Sequence, residues 1–454
     1  MNPRELAERV LELAAGRGEA EVVVQRERSG LARFAASEVH QPTLVDDTVV
    51  QLRLVRDGRV GTAGSNRIEA DGLAALVERA EAVVASATPD PEFAGLPGPA
   101  PLPEVAGFDE ATALLAPDDL ARLAAGAIEA AGLLSAYGYV TSGACELAVA
   151  SSTGLRAAQR FTDAAAITIA AADGRSGYAA QSASAVAAID PAAVAREAAA
   201  TAELTRAAGA LEPGTYRAVL GPYAVAELLH WFALDTFNGL AFVEERGYLA
   251  GRLGEQVFDP GISIWDDALD TRGLPKAFDF EGTPKQRVAL VEAGVARGVV
   301  WDRAAAARAG GTVRSTGHAG SPADRSFGPL PLALSVAPGE AESTDELAAL
   351  VGDGIHVTRL HYLGIVDPRE GILTGMTRDG TFRIRNGARA EPLVNLRFTV
   401  RVPEVLAEVP GLTRELTLVN LSDFYAERYA FGALVPGLAT ARFAVTGSGS
   451  GPGL

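Results

Sequence analysis

The sequence of 454 residues is poor in the side chains that most often announce chemistry. One cysteine, Cys145, excludes an internal disulfide framework and is compatible with a reducing cytosol, so a cytoplasmic location is expected. Five histidines leave few ways to assemble a metal or acid–base centre. Of 40 basic residues only Lys276 and Lys285 are lysines, and no Lys/Arg-rich run occurs. Against 57 acidic residues this leaves a net charge of −17, which argues against direct nucleic-acid binding, because counterion release needs clustered cations. No apolar run approaches the roughly 20 residues that cross a bilayer; the stretch 123–134 is Ala/Gly-rich and short, so no membrane association is expected. The opening M-N-P-R-E-L-A-E-R-V reads as an amphipathic helix with Asn2 as its cap and Pro3 in its first turn, so no signal peptide is expected. There is no G-x-S-x-G around a serine, no P-loop and no Rossmann fingerprint.

What is present is a globular composition, 48% hydrophobic and 21% charged, long enough for two or more cores. After the first helix, β-branched and alternating residues predict strands at 21–28, 31–40 and 48–56, broken at Ser29-Gly30 and Asp46-Asp47. Asp57-Gly58 is a hairpin signal leading into 59–65, and a helix follows over 71–87. The Pro-rich stretch 89–104 is a linker or strap. The pattern then repeats: a helix near 117–133, strands near 138–150, 155–161 and 164–172, and a helix near 190–207. D-G-R-V-G-T-A at 57–63 and D-G-R-S-G-Y-A at 173–179 share five of seven residues at an offset of 116. A duplicated helix-plus-antiparallel-sheet unit, 1–88 and 117–208, is the expectation. Beyond it, strands are predicted at 287–291, 298–301, 332–336, 355–360, 381–384, 393–402, 417–421 and 441–445, with a helix at 343–351. The expected fold is therefore α+β, with an N-terminal domain over 1–213, a mainly β domain over 214–446 and a flexible tail at 447–454.

The two halves meet at G-P-Y-A-V-A-E-L-L-H-W-F-A-L-D-T-F-N-G, residues 221–239, where Ala224, Val225, Leu228, Leu229, Phe232 and Ala233 recur at helical spacing. His230 and Asp235 lie on this helix. They are either a ligand or acid–base pair, or a core histidine and a surface carboxylate. Zinc hydrolysis needs imidazole or thiolate ligands, an open position and a carboxylate to take the water's proton. Only one imidazole is here, and Trp231 beside it cannot act as a base. Elsewhere, His40 and His318 read as surface or loop-packing residues. His356 and His361, an odd offset apart on a strand, face opposite ways. Cys145 reads as a buried small hydrophobe. The carboxylates Asp266-Asp267, Asp279 with Glu281, and Glu244-Glu245 read as solvated loop pairs.

Six segments in order carry a resemblance: V-V-Q-L-R-L-V-R-D-G-R-V-G-T-A-G-S-N at 49–66, F-D-F-E-G-T-P at 278–284, L-V-E-A-G-V-A-R-G-V-V-W-D at 290–302, S-T-G-H-A at 315–319, I-V-D-P-R-E-G at 365–371, and L-V-P-G-L-A at 434–439. The chain resembles the TldD/PmbA family, also called TldD/TldE or modulators of DNA gyrase, over almost its full length. The resemblance implies a two-domain subunit that pairs with its relative as a heterodimeric metallopeptidase acting on unfolded peptides. In the family, the TldD-type member carries H-E-x-x-x-H and a distant C-terminal cysteine. Carried onto this sequence, the three motif positions are His230, Trp231 and Asp235, and the segment before Val435-Pro436 reads E-R-Y-A-F-G-A without cysteine. The resemblance thus implies the TldE/PmbA-like side: no metal in this chain, zinc in a TldD-like partner, and an extended peptide as substrate of the pair. Two other readings stay open. One is an independent hydrolase using His230 with Asp235, Glu244 or Glu245, and the other a homodimeric peptide-binding module without catalysis.

Overall fold

The computed structural model describes residues 1–422, 424 and 427–449. The architecture is α+β. Helix α1 (Pro3–Ala14) starts at a capping box in which the Glu5 amide donates to Asn2 and the Asn2 amide to Glu5. Strands β1 (Glu19–Ala35), β2 (Glu38–Arg56) and β3 (Arg59–Ser65) and helix α2 (Ala70–Ser86) follow. After the short α3 (Glu110–Ala113), the same order returns as α4 (Pro117–Ala130), β4 (Ser135–Ser151), β5 (Arg156–Ala172), β6 (Arg175–Ala183) and α5 (Pro191–Leu204). The six strands form one antiparallel sheet in the order β3-β2-β1-β4-β5-β6. At its centre Arg28 of β1 pairs with Ala144 of β4, two residues separated by the same 116 positions as the hairpins. A pseudo-dyad therefore passes between them and relates β1-β2-β3 to β4-β5-β6.

The two Asp-Gly hairpins have the backbone their sequence demands. Asp57 and Gly58 have φ of 52° and 71°, and Asp173 and Gly174 have 43° and 77°, the left-handed pair of a tight two-residue turn. The breaks expected at Ser29-Gly30 and Asp46-Asp47 do not occur. Strands β1 and β2 run through both, and the chain turns instead at Ala36 and Ser37. Gly30 serves packing: a Cβ there would lie 2.5 Å from the Leu120 side chain of α4.

Helices α1 and α2 cover one face of β1–β3 with Leu6, Val10, Val22, Leu52, Leu73 and Leu76, while α4 and α5 cover β4–β6 with Leu120, Ala124, Val140, Ala166 and Val194. The opposite face carries Val23, Cys145, Leu147, Val149 and Phe161 against Phe278 and Phe280 of the second half. The Pro-rich stretch is a strap. It is pinned where Arg303 donates to the Ala94 carbonyl (2.9 Å) and Ser151 to the Pro97 carbonyl (3.0 Å).

From residue 214 the chain builds two further sheets. Strands β7 (Gly214–Leu220), β12 (Gly354–Asp367), β13 (Ile372–Arg385), β14 (Ala388–Leu393), β15 (Leu396–Arg401) and β19 (Leu438–Ser448) form one in the order β12-β7-β19-β15-β13-β14, with β16 (Gly411–Leu412) on β19. Strands β8 (Ile264–Asp266), β9 (Val288–Glu292), β10 (Val295–Ala296), β11 (Leu334–Val336), β17 (Thr417–Asn420) and β18 (Gly432–Val435) form the other, β10-β9-β8-β11-β18-β17. Helix α6 (Pro222–Thr236) packs against both and is apolar nearly all round, as an interior helix must be. The predicted strand 298–301 is only a single bridge at Val300, and 393–402 is interrupted at Val394 and Asn395 between β14 and β15. Of the expected tail, residues 447 and 448 complete β19, and 450–454 lie outside the described residues.

Candidate functional site

Gly221 and Pro222 open α6, and its burial orients the three motif positions differently. His230 is partly buried, its ring 5.6 Å from that of Phe431 and 6.5 Å from that of Trp231, and burial pushes its pKa down to about 4. It is a neutral imidazole among aromatics. The Trp231 indole donates to Glu227, whose carboxyl is pushed up by burial. Asp235, about 140° around the helix from His230, forms an ion pair with Arg246, which also holds Glu244 at 2.7 Å. Glu244 also faces Arg308 (3.4 Å), and Glu245 faces Arg369 (3.9 Å). The structure does not bring His230 together with Asp235, Glu244 or Glu245.

The donor set does not fit a zinc centre. It offers one imidazole, an indole that has no lone pair to give and a carboxylate committed to a guanidinium. Cys145 lies on β4, fully buried, with its thiol donating to the Arg428 carbonyl at 3.0 Å, and burial pushes it far up. No group of three or more His, Cys, Asp or Glu able to hold a metal ion occurs among the described residues.

His318, read as a surface or loop-packing residue, packs inside its loop, and the loop carboxylates Asp266, Asp279 and Glu281, read as solvated, are interior. His318 is 1% exposed, with Nε2 2.8 Å from Asp266 and Nδ1 2.9 Å from Thr316; burial and the neighbouring Lys285 keep it below its ordinary pKa. Asp279 accepts from the amides of Glu281, Thr283 and Ala319, each at 2.9 Å. Glu281 is 3.4 Å from Arg53, which also binds Glu21 at 2.7 Å, and Arg325 holds the other Glu21 oxygen at 2.8 Å. Burial raises both Asp279 and Glu281. These carboxylates are not solvated; they form a closed polar seam between the first sheet and the second half. His356 is buried on β12 and His361 lies beside Tyr362, so neither meets the other, while His40 is exposed on β2.

A sizeable groove with converging polar groups lies among residues that the sequence did not mark as functional. It has a volume of about 390 Å³ and lies on the sheet face turned away from the helices. Gln25, Glu27, Ser29, Leu31 and Arg33 of β1 alternate along its floor, Gln41, Thr43, Val45, Asp47 and Val49 of β2 flank them, and Phe424, Glu427 and Arg428 roof it. The run 25–29 is polar at every position, Gln-Arg-Glu-Arg-Ser, so its pattern does not mark which face lines the groove. Arg428 anchors the roof. Its guanidinium donates to Asp163 at 2.8 and 2.6 Å and to Thr141 at 3.1 Å, its carbonyl accepts from Gln25 at 2.8 Å, and its amide donates to Glu27 at 3.0 Å. Gly143 makes room: a Cβ would lie 2.5 Å from the Arg428 Nε. Three residues on, Phe431 covers His230, so the roof of the groove and the wall of the helix site are one segment.

The chain matches two domain models of one metallopeptidase family. Residues 213–447 match the PmbA/TldA metallopeptidase C-terminal domain and residues 20–84 match PmbA/TldA metallopeptidase domain 1. The chain belongs to the TldD/PmbA family. A metalloprotease of Methanothermobacter thermautotrophicus is 30% identical over 209 residues, 45% of this chain and 44% of that protein. The chain spans less than half the length of the curated relatives it matches. Among solved structures, TldE of Thermococcus kodakarensis superposes with a TM-score of 0.85 at 20% identity, covering 98% of this chain and 99% of that one. A candidate modulator of a DNA gyrase from Thermotoga maritima gives 0.83 at 20% identity over 97% and 99%. At these identities the two structures speak to the fold alone. No helix among the described residues is long and apolar enough to cross a membrane.

Proposed function

We propose that this chain is the TldE/PmbA-like, non-metal subunit of a TldD/TldE-type metalloprotease acting on unfolded peptides, and that zinc resides in a TldD-like partner. The observation that carries this reading is the state of α6: His230 is packed against Phe431, Trp231 stands where a base would be, and Asp235 is held by Arg246. In this role the chain's own residues bind and orient rather than cleave. The outer edge of β2 over residues 38–49 supports peptide binding. Strand β3 pairs only with residues 50–56, so along the earlier stretch the outer edge has no strand partner among the described residues. An extended peptide can add there through main-chain hydrogen bonds with little sequence preference.

The test is to mix the purified chain with a metal-bearing relative and measure assembly mass, zinc content and peptide cleavage together. A hetero-complex that holds zinc and cleaves a flexible peptide, while this chain alone does neither, is the expected result. Stoichiometric zinc on the lone chain with chelator-sensitive cleavage overturns it.

A further inference from the structure

The groove on the first sheet is built from acceptors at one end. Glu27 and Asp47 sit directly opposite each other on β1 and β2, both on the groove side. Like charges in that relation destabilise a sheet. Glu427 adds a third carboxylate from the roof; burial together with Asp324, Glu27 and Asp47 pushes its pKa up. The Arg428 guanidinium is near enough to offset Glu27 in part, but its hydrogen bonds go elsewhere, to Asp163 and Thr141. Arg33 lies six residues along β1, roughly 20 Å away, beyond screening range. A separate observation comes from Gln25, 6% exposed and lining the same end. Its amide nitrogen donates to the Arg428 carbonyl, which fixes its orientation, and its Oε1 has no hydrogen-bond partner. A buried acceptor left unpaired costs stability unless a donor reaches it.

We infer that this end of the groove is a subsite for a positively charged, donor-rich group of an extended peptide, an α-amine or a lysine or arginine side chain. Glu27 already accepts from Ser29 and the Arg428 amide and Asp47 from the Thr48 amide, so what the three carboxylates call for is positive charge, which an ammonium or guanidinium supplies together with a donor for the orphaned amide oxygen. The apolar stretch beyond it, with Leu31, Val45 and Phe424, accommodates the neighbouring residues of the same peptide. The inference rests on the reading of the chain as a peptide-binding subunit and adds a preference in charge.

Fluorescence anisotropy with labelled unstructured peptides tests it on the chain alone and again in the mixture with a metal-bearing relative. One peptide has a blocked amino terminus and an internal lysine, a second replaces that lysine by norleucine, and a third has a free amino terminus and no lysine. The lysine peptide is expected to bind about tenfold more tightly than the norleucine peptide, with the difference shrinking in high salt. If the free-terminus peptide shares the gain, the α-amine is also recognised; if not, the subsite takes side chains. Asp47→Asn with Glu427→Gln should remove most of the preference, and Asp47→Lys should abolish it while leaving the fold at least as stable, because it relieves the Glu27 repulsion. Equal affinity for the lysine and norleucine peptides, a preference untouched by these substitutions, or no binding of any peptide overturns the inference. Failure to assemble with the metal-bearing relative overturns the subunit reading and leaves the charge preference standing.

Discussion

Replacing Arg428 by methionine removes a guanidinium whose side chain is 3% exposed from a carboxylate that is 2% exposed, at two hydrogen bonds of 2.8 and 2.6 Å. Methionine keeps the length and the apolar stem but leaves Asp163 buried beside an apolar group, with Thr141 losing a donor as well. Removing one partner of a buried pair costs about 3–5 kcal/mol, most of it from the charge left behind. Urea unfolding followed by tryptophan fluorescence should show a loss of that size. The companion variant Asp163→Asn in the same chain should recover at least half, since the stranded charge is gone, and the double-mutant cycle should give a coupling of about 2 kcal/mol or more. A second readout follows from the path of the chain. Arg428 seats the segment that brings Phe431 over His230. Loosening it admits water to the imidazole, so the His230 pKa, depressed to about 4 by burial, should climb toward its ordinary value in an NMR titration. A loss under about 1 kcal/mol, additive single changes, or an unmoved His230 would refute the reasoning.

Acid stability should follow the buried histidines. Burial lowers His230 to about 4, His356 to about 3 and His361 to about 4, below the 6.5 of a free imidazole. The unfolded chain therefore takes up protons first as pH falls. Stability is full above about 6.5 and declines from there through the folded pKa values, a slope that unfolding curves between pH 7 and 4 should display. His356 has no partner for either ring nitrogen, so His356→Leu should raise stability at pH 7 by about 1–2 kcal/mol and flatten that slope. Gly143→Ala should cost about 1–3 kcal/mol and weaken peptide binding, because the new methyl group meets the Arg428 Nε; an unchanged unfolding midpoint would remove the packing role assigned to that glycine.

The parts of the fold that depend on neighbouring residues were legible from the chain itself. The Asp57-Gly58 and Asp173-Gly174 turns, the Asn2 cap and the mostly apolar helix at 222–236 need only local geometry or a short period. Gly30 was misread as a break because its reason is Leu120, 90 positions later, and Asp46-Asp47 because two acidic residues look like a turn when each faces a different side of one strand. The solvated reading of Asp266, Asp279 and Glu281 failed for the same cause. Their partners are His318, Ala319 and Arg53, remote in sequence. At the helix site, residue identities alone indicated that Trp231 and Asp235 are poor replacements for a base and a ligand, whereas the Arg246 contact that occupies Asp235 required coordinates. The groove was hidden because its floor and roof are some 400 residues apart, as the Arg428 to Glu27 contact shows.

The Arg428 anchor also sets an order of events during synthesis. Asp163 and Arg428 are 265 residues apart, so a ribosome working at about 5–20 residues per second makes the arginine roughly 15–50 s after the aspartate. Once β6 (Arg175–Ala183) has also been made, the first sheet has every strand it needs, but its central carboxylate still lacks the Arg428 guanidinium. The nascent sheet can collapse early, yet it closes around Asp163 only when the distant arginine arrives, so completion of the first unit is timed by translation of the second.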